Sequence, residues 1–204
     1  MADFSDPQVL GAILGGGLAG AVLNQIANEG LRWLRKPTLR IRFSADAKGC
    51  IADTPTADPN TGTINGKQRY LRLRIENIGR TSAQQVSACM THVDYRSKSG
   101  QHDIFAREVI ELKFAMSQQT AKNIGSRAHR FVDVFGVADA GGVHSGLGVK
   151  MLPLALSKIL TGPGEYSLKV IVTADNADSV EVRISWCWSG TVDDLEITDL
   201  QVIG

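Results

Sequence analysis

The sequence predicts a mainly β fold: a two-sheet sandwich preceded by one long N-terminal helix. Three observations predict it. After Pro37, eight or nine short apolar runs are separated by Gly, Pro and Asn turns. No second helical pattern follows the first, as the crossovers of an open α/β sheet would demand. Finally, Asp6-Pro7 pairs a cap acceptor with a first-turn proline, and the helical pattern it opens runs to about Arg35, where Pro37 stops it. This divides the chain into an N-terminal helix, 1–36, and a β domain, 37–204. A barrel is the alternative way of closing so many strands.

Composition sets bounds on function. The chain has 204 residues, 22 basic and 21 acidic, for a formal net charge of +1. That balance gives no reason to expect a nucleic-acid partner. The charge is nevertheless uneven. Arg32, Arg35, Lys36, Arg40, Arg42 and Lys48 stand against Asp46 alone, whereas seven acids from Asp175 onward face only Arg183. Such a layout suits a protein with one end near an anionic surface. Cys50, Cys89 and Cys187 form no paired spacing and are expected as reduced thiols, with a Cys89–Cys187 bridge between facing sheets as the alternative.

Element by element, TLRIRFSA (38–45) reads as the first strand and DTPTADPNTGTING (53–66) as a loop. YLRLRIEN (70–77) alternates cleanly, with Leu71, Leu73 and Ile75 facing one way and Arg72, Arg74 and Glu76 the other. Asn77-Ile78-Gly79-Arg80 is a turn before a strand over 86–95, and another strand falls within 107–115. AHRFVDVFGVA (128–138) puts Phe131, Asp133 and Phe135 on one side. The glycine-rich 139–148 reads as a loop, and 148–156 as a weak strand that Pro153 assigns to an edge. Strands at 166–175 and 180–188 flank the turn DNAD, and the tail 191–203 supplies a last strand.

The loudest motif is Gly15-x-Gly17-x-x-Gly20, spaced like a dinucleotide fingerprint. That fingerprint needs a strand before it, a helix opening on it and βαβ units after it. None follow, so no cofactor is expected. Residues 9–27 instead form an apolar stretch broken only by Asn24 and Gln25, 19 residues or roughly 28 Å of helix. Gly11, Gly15 and Ala19 lie four apart, as do Gly16 and Gly20, a spacing that lets helices approach closely in lipid. Arg32, Trp33, Arg35 and Lys36 then make an aromatic and positive interfacial flank, which places the β domain on the cytoplasmic side. The acidic leader 1–8 argues against a secretory signal. A soluble helix packed in an oligomer is the alternative, so a homo-oligomer through this helix is also expected.

Chemistry-bearing clusters in the β domain are sparse. His92, His102, His129 and His144 show no metal-ligand spacing. His92 and Asp94 share a strand face, and Asp175, Asn176 and Asp178 resemble a calcium-friendly oxygen cluster, for which ordinary turn chemistry is the preferred reading; no catalytic residue and no metal is expected. Trp186 and Trp188 share a face opposite Cys187. If Cys187 is core, the tryptophans form a partner surface; simple packing is the alternative.

The run Tyr70–Arg80, followed by Ser82, Ala83 and Val86, resembles the strand, Asn-x-Gly, small residue, strand signature of bacterial immunoglobulin-like modules. The whole layout is similar to small bacterial membrane-anchored proteins of uncharacterised function that carry such a sandwich. The motif spans seventeen residues, Tyr70 to Val86. The resemblance implies binding, adhesion or scaffolding and carries over no catalytic residue. The expected function is a non-enzymatic, single-pass membrane-anchored module acting through protein–protein contacts. The alternative is a soluble structural or assembly subunit of phage or secretion-apparatus type.

Overall fold

Alternation in the longest strands organises the whole β domain. In the computed structural model, residues 36–44, 49–57, 61–106, 109–139, 143–149 and 162–203 are described, with Gln25 and Gly30 besides. The chain divides at Lys36/Pro37 into two units, and the structure described here is that of the second. In chain order its strands are β1 (Leu39–Arg42), β2 (Ile51–Ala57), β3 (Ile64–Asn77), β4 (Ala83–Ser97), β5 (His102–Phe105), β6 (Ile110–Glu111), β7 (Ala121–Ile124), β8 (His129–Asp139), β9 (Val143–Leu147), β10 (Gly164–Ala174), β11 (Ala177–Trp188) and β12 (Leu195–Val202).

They form two antiparallel sheets. The first runs β1-β3-β8-β9, with β2 beside β1 along the same side of β3. The second runs β12-β11-β10-β4-β5, with β6 and β7 also on β4. Leu71, Leu73 and Ile75 of β3 and Val132, Phe135 and Val137 of β8 share one core with Met90 and Val93 of β4, Leu168, Val170 and Val172 of β10, and Val182, Ile184 and Trp186 of β11. The Phe135 and Trp186 rings, one from each sheet, sit 5.2 Å apart. Burial of this apolar surface is the main force holding the layers together.

Residues 112–115 connect the two layers. Ile110 and Glu111 pair with β4, Leu112 N–H donates to Ala88 of β4, and Phe114 then bridges Val132 of β8. The strand expected within 107–115 is present as the two-residue β6, and residues 112–115 make the crossing segment.

Several other expectations are corrected. The loop expected over 53–66 holds most of β2 and the start of β3; Pro55 is tolerated because, among the described residues, β2 pairs with β3 alone, at an edge. The loop expected over 139–148 contains β9. Of the strand expected over 148–156, Val149 makes an isolated bridge to Leu112, and residues 150–156 lie outside the described ones. β5 and β7, four residues each, answer to no sequence expectation. In β8 the register shifts between its pairs to Leu71 and Arg72, leaving Val134 extra. That bulge turns Phe135 into the core while Phe131 and Asp133 stay outside, so the three do not share a face.

Candidate functional site

Among the described residues of the β domain, three regions hold side chains with chemistry: the aromatic cluster, the outer face of the first sheet, and a groove on the second. The aromatic cluster is interior. Trp186 is 1% exposed and Trp188 3%, and Cys187 between them points outward. The condition for a tryptophan partner surface is thereby reversed, and the packing alternative holds for both. Trp186 stacks on Tyr166 at 5.2 Å and 5°, and Trp188 donates its indole N–H to the Thr191 carbonyl at 2.7 Å. The Tyr166 hydroxyl donates to the Gly162 carbonyl, and burial pushes its phenol well above the usual tyrosine range.

The outer face of the first sheet is built by register. Arg40 of β1 lies opposite Glu76 of β3, which lies opposite His129 of β8; Arg42, Arg74 and Phe131 form the next row. Leu39, Ile41, Leu73 and Ile75 alternate inward and hold these side chains out. One Glu76 oxygen accepts from Arg40 at 2.7 Å and lies 3.6 Å from Arg42; the other lies 2.9 Å from Arg74. Burial raises the Glu76 carboxyl, but the Arg40 hydrogen bond and the charges of Arg74, Arg40 and Arg42 outweigh it and hold the group below the usual glutamate value. A depression of about 240 Å³ opens here among Arg40, Arg74, Arg127 and His129, with Ile78 at its edge.

Further along the same face, Arg72 and Asp133 form a 2.7 Å ion pair whose side chains are 10% and 12% exposed. The Arg72 guanidinium also sits 4.9 Å above the Tyr70 ring. Gly148 packs against the Asp133 backbone, where a Cβ would stand 2.1 Å from the Asp133 carbonyl oxygen.

At the other end of the β domain a groove of about 740 Å³ crosses the outer side of the second sheet, bounded by Arg96, Lys98, Glu165, Trp188, Asp194 and Glu196. A smaller hollow of about 360 Å³ shares Arg96 and Glu165 and includes Ser167 and Ser185, whose hydroxyls bond at 3.1 Å. Beside the groove, Arg69 grips Asp53 through two hydrogen bonds, at 2.8 and 3.0 Å, and reaches the Asp193 carbonyl at 2.7 Å. Lys67 adds contacts to both acids. The Arg69 hydrogen bond holds the Asp53 carboxyl down at about 2, against the upward push of burial. These contacts staple β2 and β3 to the loop before β12.

Other candidates resolve individually. His102, not His92, meets Asp94, at 2.9 Å on an exposed surface. Asn176 uses its amide structurally: its oxygen accepts from Gln84 N–H at 2.9 Å and its nitrogen donates to the Ser82 carbonyl at 3.0 Å. Cys89 and Cys187 lie on the same sheet, opposite Ile171 and Glu165 of the intervening β10, six positions or roughly 20 Å apart. A disulfide spans about 7 Å between Cα atoms at most, and all three cysteines are free. Gly11, Gly15, Gly16, Ala19, Gly20, Arg32, Trp33 and Arg35 lie outside the described residues; Lys36 is described, with Pro37 and Thr38 between it and β1. Among the described residues no helix is long and apolar enough to cross a membrane.

The basic face escaped the sequence reading although its signal was present. RIR and RLR alternate in two separate strands, but only the pairing of β1 with β3 stacks them side by side. No family model matches the chain, and no curated protein matches it significantly.

Proposed function

We propose that this protein is a non-enzymatic binding or scaffolding module of immunoglobulin-like fold, held at a membrane by residues 9–27 and acting through protein–protein contacts. The strand order supports the fold. With β1, β3 and β8 in one sheet and β11, β10, β4 and β5 in the other, the arrangement follows the ABE and GFCC′ order of such domains. The 112–115 segment takes the D position beside β8. Tyr166, near the start of β10, ties its hydroxyl back to Gly162, as the corner tyrosine of these domains does.

The observation that carries the membrane reading is where the positive charge gathers. Arg40, Arg42, Arg74 and Arg127 cluster at the end of the first sheet that the chain reaches directly from Lys36, with Glu76 as the acid among them, whereas at the opposite end Asp193, Asp194 and Glu196 stand beside Lys67, Arg69, Arg96 and Lys98. An apolar stretch, a basic flank and a basic domain end then follow one another along the chain. The test is fractionation of the full chain. The expected result is a membrane pellet that resists alkaline carbonate and yields to detergent. A protein that stays in the supernatant as a defined oligomer supports the soluble assembly subunit instead, and a soluble monomer removes both readings.

A further inference from the structure

We propose that the Asn77 end of the first sheet is a second membrane contact, a docking surface for anionic lipid headgroups formed by Arg40, Arg42, Arg74 and Arg127. The inference rests on the membrane-anchored reading and adds the lipid class that the β domain selects.

Charge at this face is out of balance by construction. Three arginines converge on the single carboxylate of Glu76, and Arg127 joins Arg40 and Arg74 in lining the depression, where Glu76 is the one acid among the described residues. Register sets Arg42 directly opposite Arg74, a like-charge cross-strand pair that costs stability. Glu76 offsets part of that cost, and an anion bound between the arginines offsets the rest. The arginines remain available for it: the side chains of Arg40, Arg42 and Arg74 are 42%, 57% and 34% exposed.

The shape fits a phosphate ester at a surface. The depression, about 240 Å³, holds a headgroup phosphate between Arg40, Arg74 and Arg127, and planar guanidinium forks match phosphate oxygens. Ile78, 46% exposed at the edge of the same depression, supplies an apolar side chain where headgroup meets acyl chain. Attachment favours a lipid over a free anion. Arg40 stands thirteen residues after Ala27 in the chain, so an anchored apolar stretch keeps this face at high effective concentration near headgroups.

The test uses the full chain with vesicles of phosphatidylcholine alone and of phosphatidylcholine with one-third phosphatidylglycerol. Flotation reports attachment, and amide hydrogen exchange at residues 78–82 and 125–130 reports docking. We expect protection of these segments on the anionic vesicles only, lost in 0.5 M salt as screening sets in. Arg42→Gln with Arg127→Asn leaves both Arg40 and Arg74 on Glu76, so the fold is retained. It is expected to reduce docking roughly fivefold per arginine. Flotation on both vesicle types without protection on either overturns docking and leaves the anchor standing. Binding to anionic vesicles alone, lost in the double variant, supports docking and overturns the anchor. Equal protection by millimolar inorganic phosphate without vesicles overturns the lipid assignment.

Discussion

The single amide of Asn77 reaches five backbone groups. Its oxygen accepts from Thr38 N–H at 3.3 Å and Gly79 N–H at 3.0 Å; its nitrogen faces the carbonyls of Thr81, Ile124 and Gly125 at 2.7, 3.0 and 3.3 Å. The residue is fully buried; of its five bonds, the one to Ile124 lies in the interior and the other four are partly open to solvent. Asn77→Ala is expected to cost about 2 kcal/mol in urea unfolding, through the bonds lost from a fully buried side chain. Asn77→Asp keeps the acceptor but removes the donor and buries a charge, and should cost at least as much. The sequence marked Asn77 only as part of a turn. Its partners at 124 and 125 lie 47 and 48 residues away, a distance no local pattern reports.

At the scale of elements, alternation made β3, β10 and β11 legible, because their inward and outward residues are unbroken over most of their length. Bulges defeated the same rule elsewhere. Thr91 is extra in β4 between the pairs His92–Lys169 and Met90–Val170, and Val134 is extra in β8, so parity reverses midway. Glycine misled at Gly148, where it signals close approach rather than a loop. Gly148→Ala would drive a Cβ into the Asp133 backbone; the expected loss is about 2–3 kcal/mol, read as a lower urea midpoint. The neighbouring Arg72–Asp133 pair makes a separate prediction. Asp133→Ala leaves a buried guanidinium without its partner and should cost about 3–5 kcal/mol, whereas Arg72→Met with Asp133→Leu should cost much less. A double-mutant cycle in urea measures the difference; equal losses would show that the pair itself supplies the stability.

For the whole molecule, carboxylates held low by arginines set the response to acid. Glu76 and Asp53 both titrate below their ordinary values in the folded state. Their contributions are therefore complete above the unfolded values, 4.5 and 3.8, and fade as pH falls through the folded ones, which for Asp53 means about 2. Unfolding free energy should decline from pH 5 toward pH 2. Asp53→Asn should flatten the part below pH 4 by about 1 kcal/mol, a figure reduced for the solvent that reaches this half-exposed side chain. A variant with the unchanged acid profile would separate the Arg69 clamp from acid stability. The two-layer β class was legible from strand count and turn spacing, but which strands share a sheet was not, because pairing is decided by long-range packing of the inward faces.

The Asn77 amide has a mechanical consequence as well. Thr38 is bound on both sides, its N–H to Asn77 and its carbonyl to the N–H of Ile78, and it is the last residue before the four-residue β1. Any tension carried along the chain from upstream of Pro37 arrives first at this junction. Asn77 thus acts as a strain relief, sharing a pull on the short first strand with the turn at 79–81 and the end of β7. If that amide lets go, the load passes to four residues of edge ladder, which would peel one pair at a time.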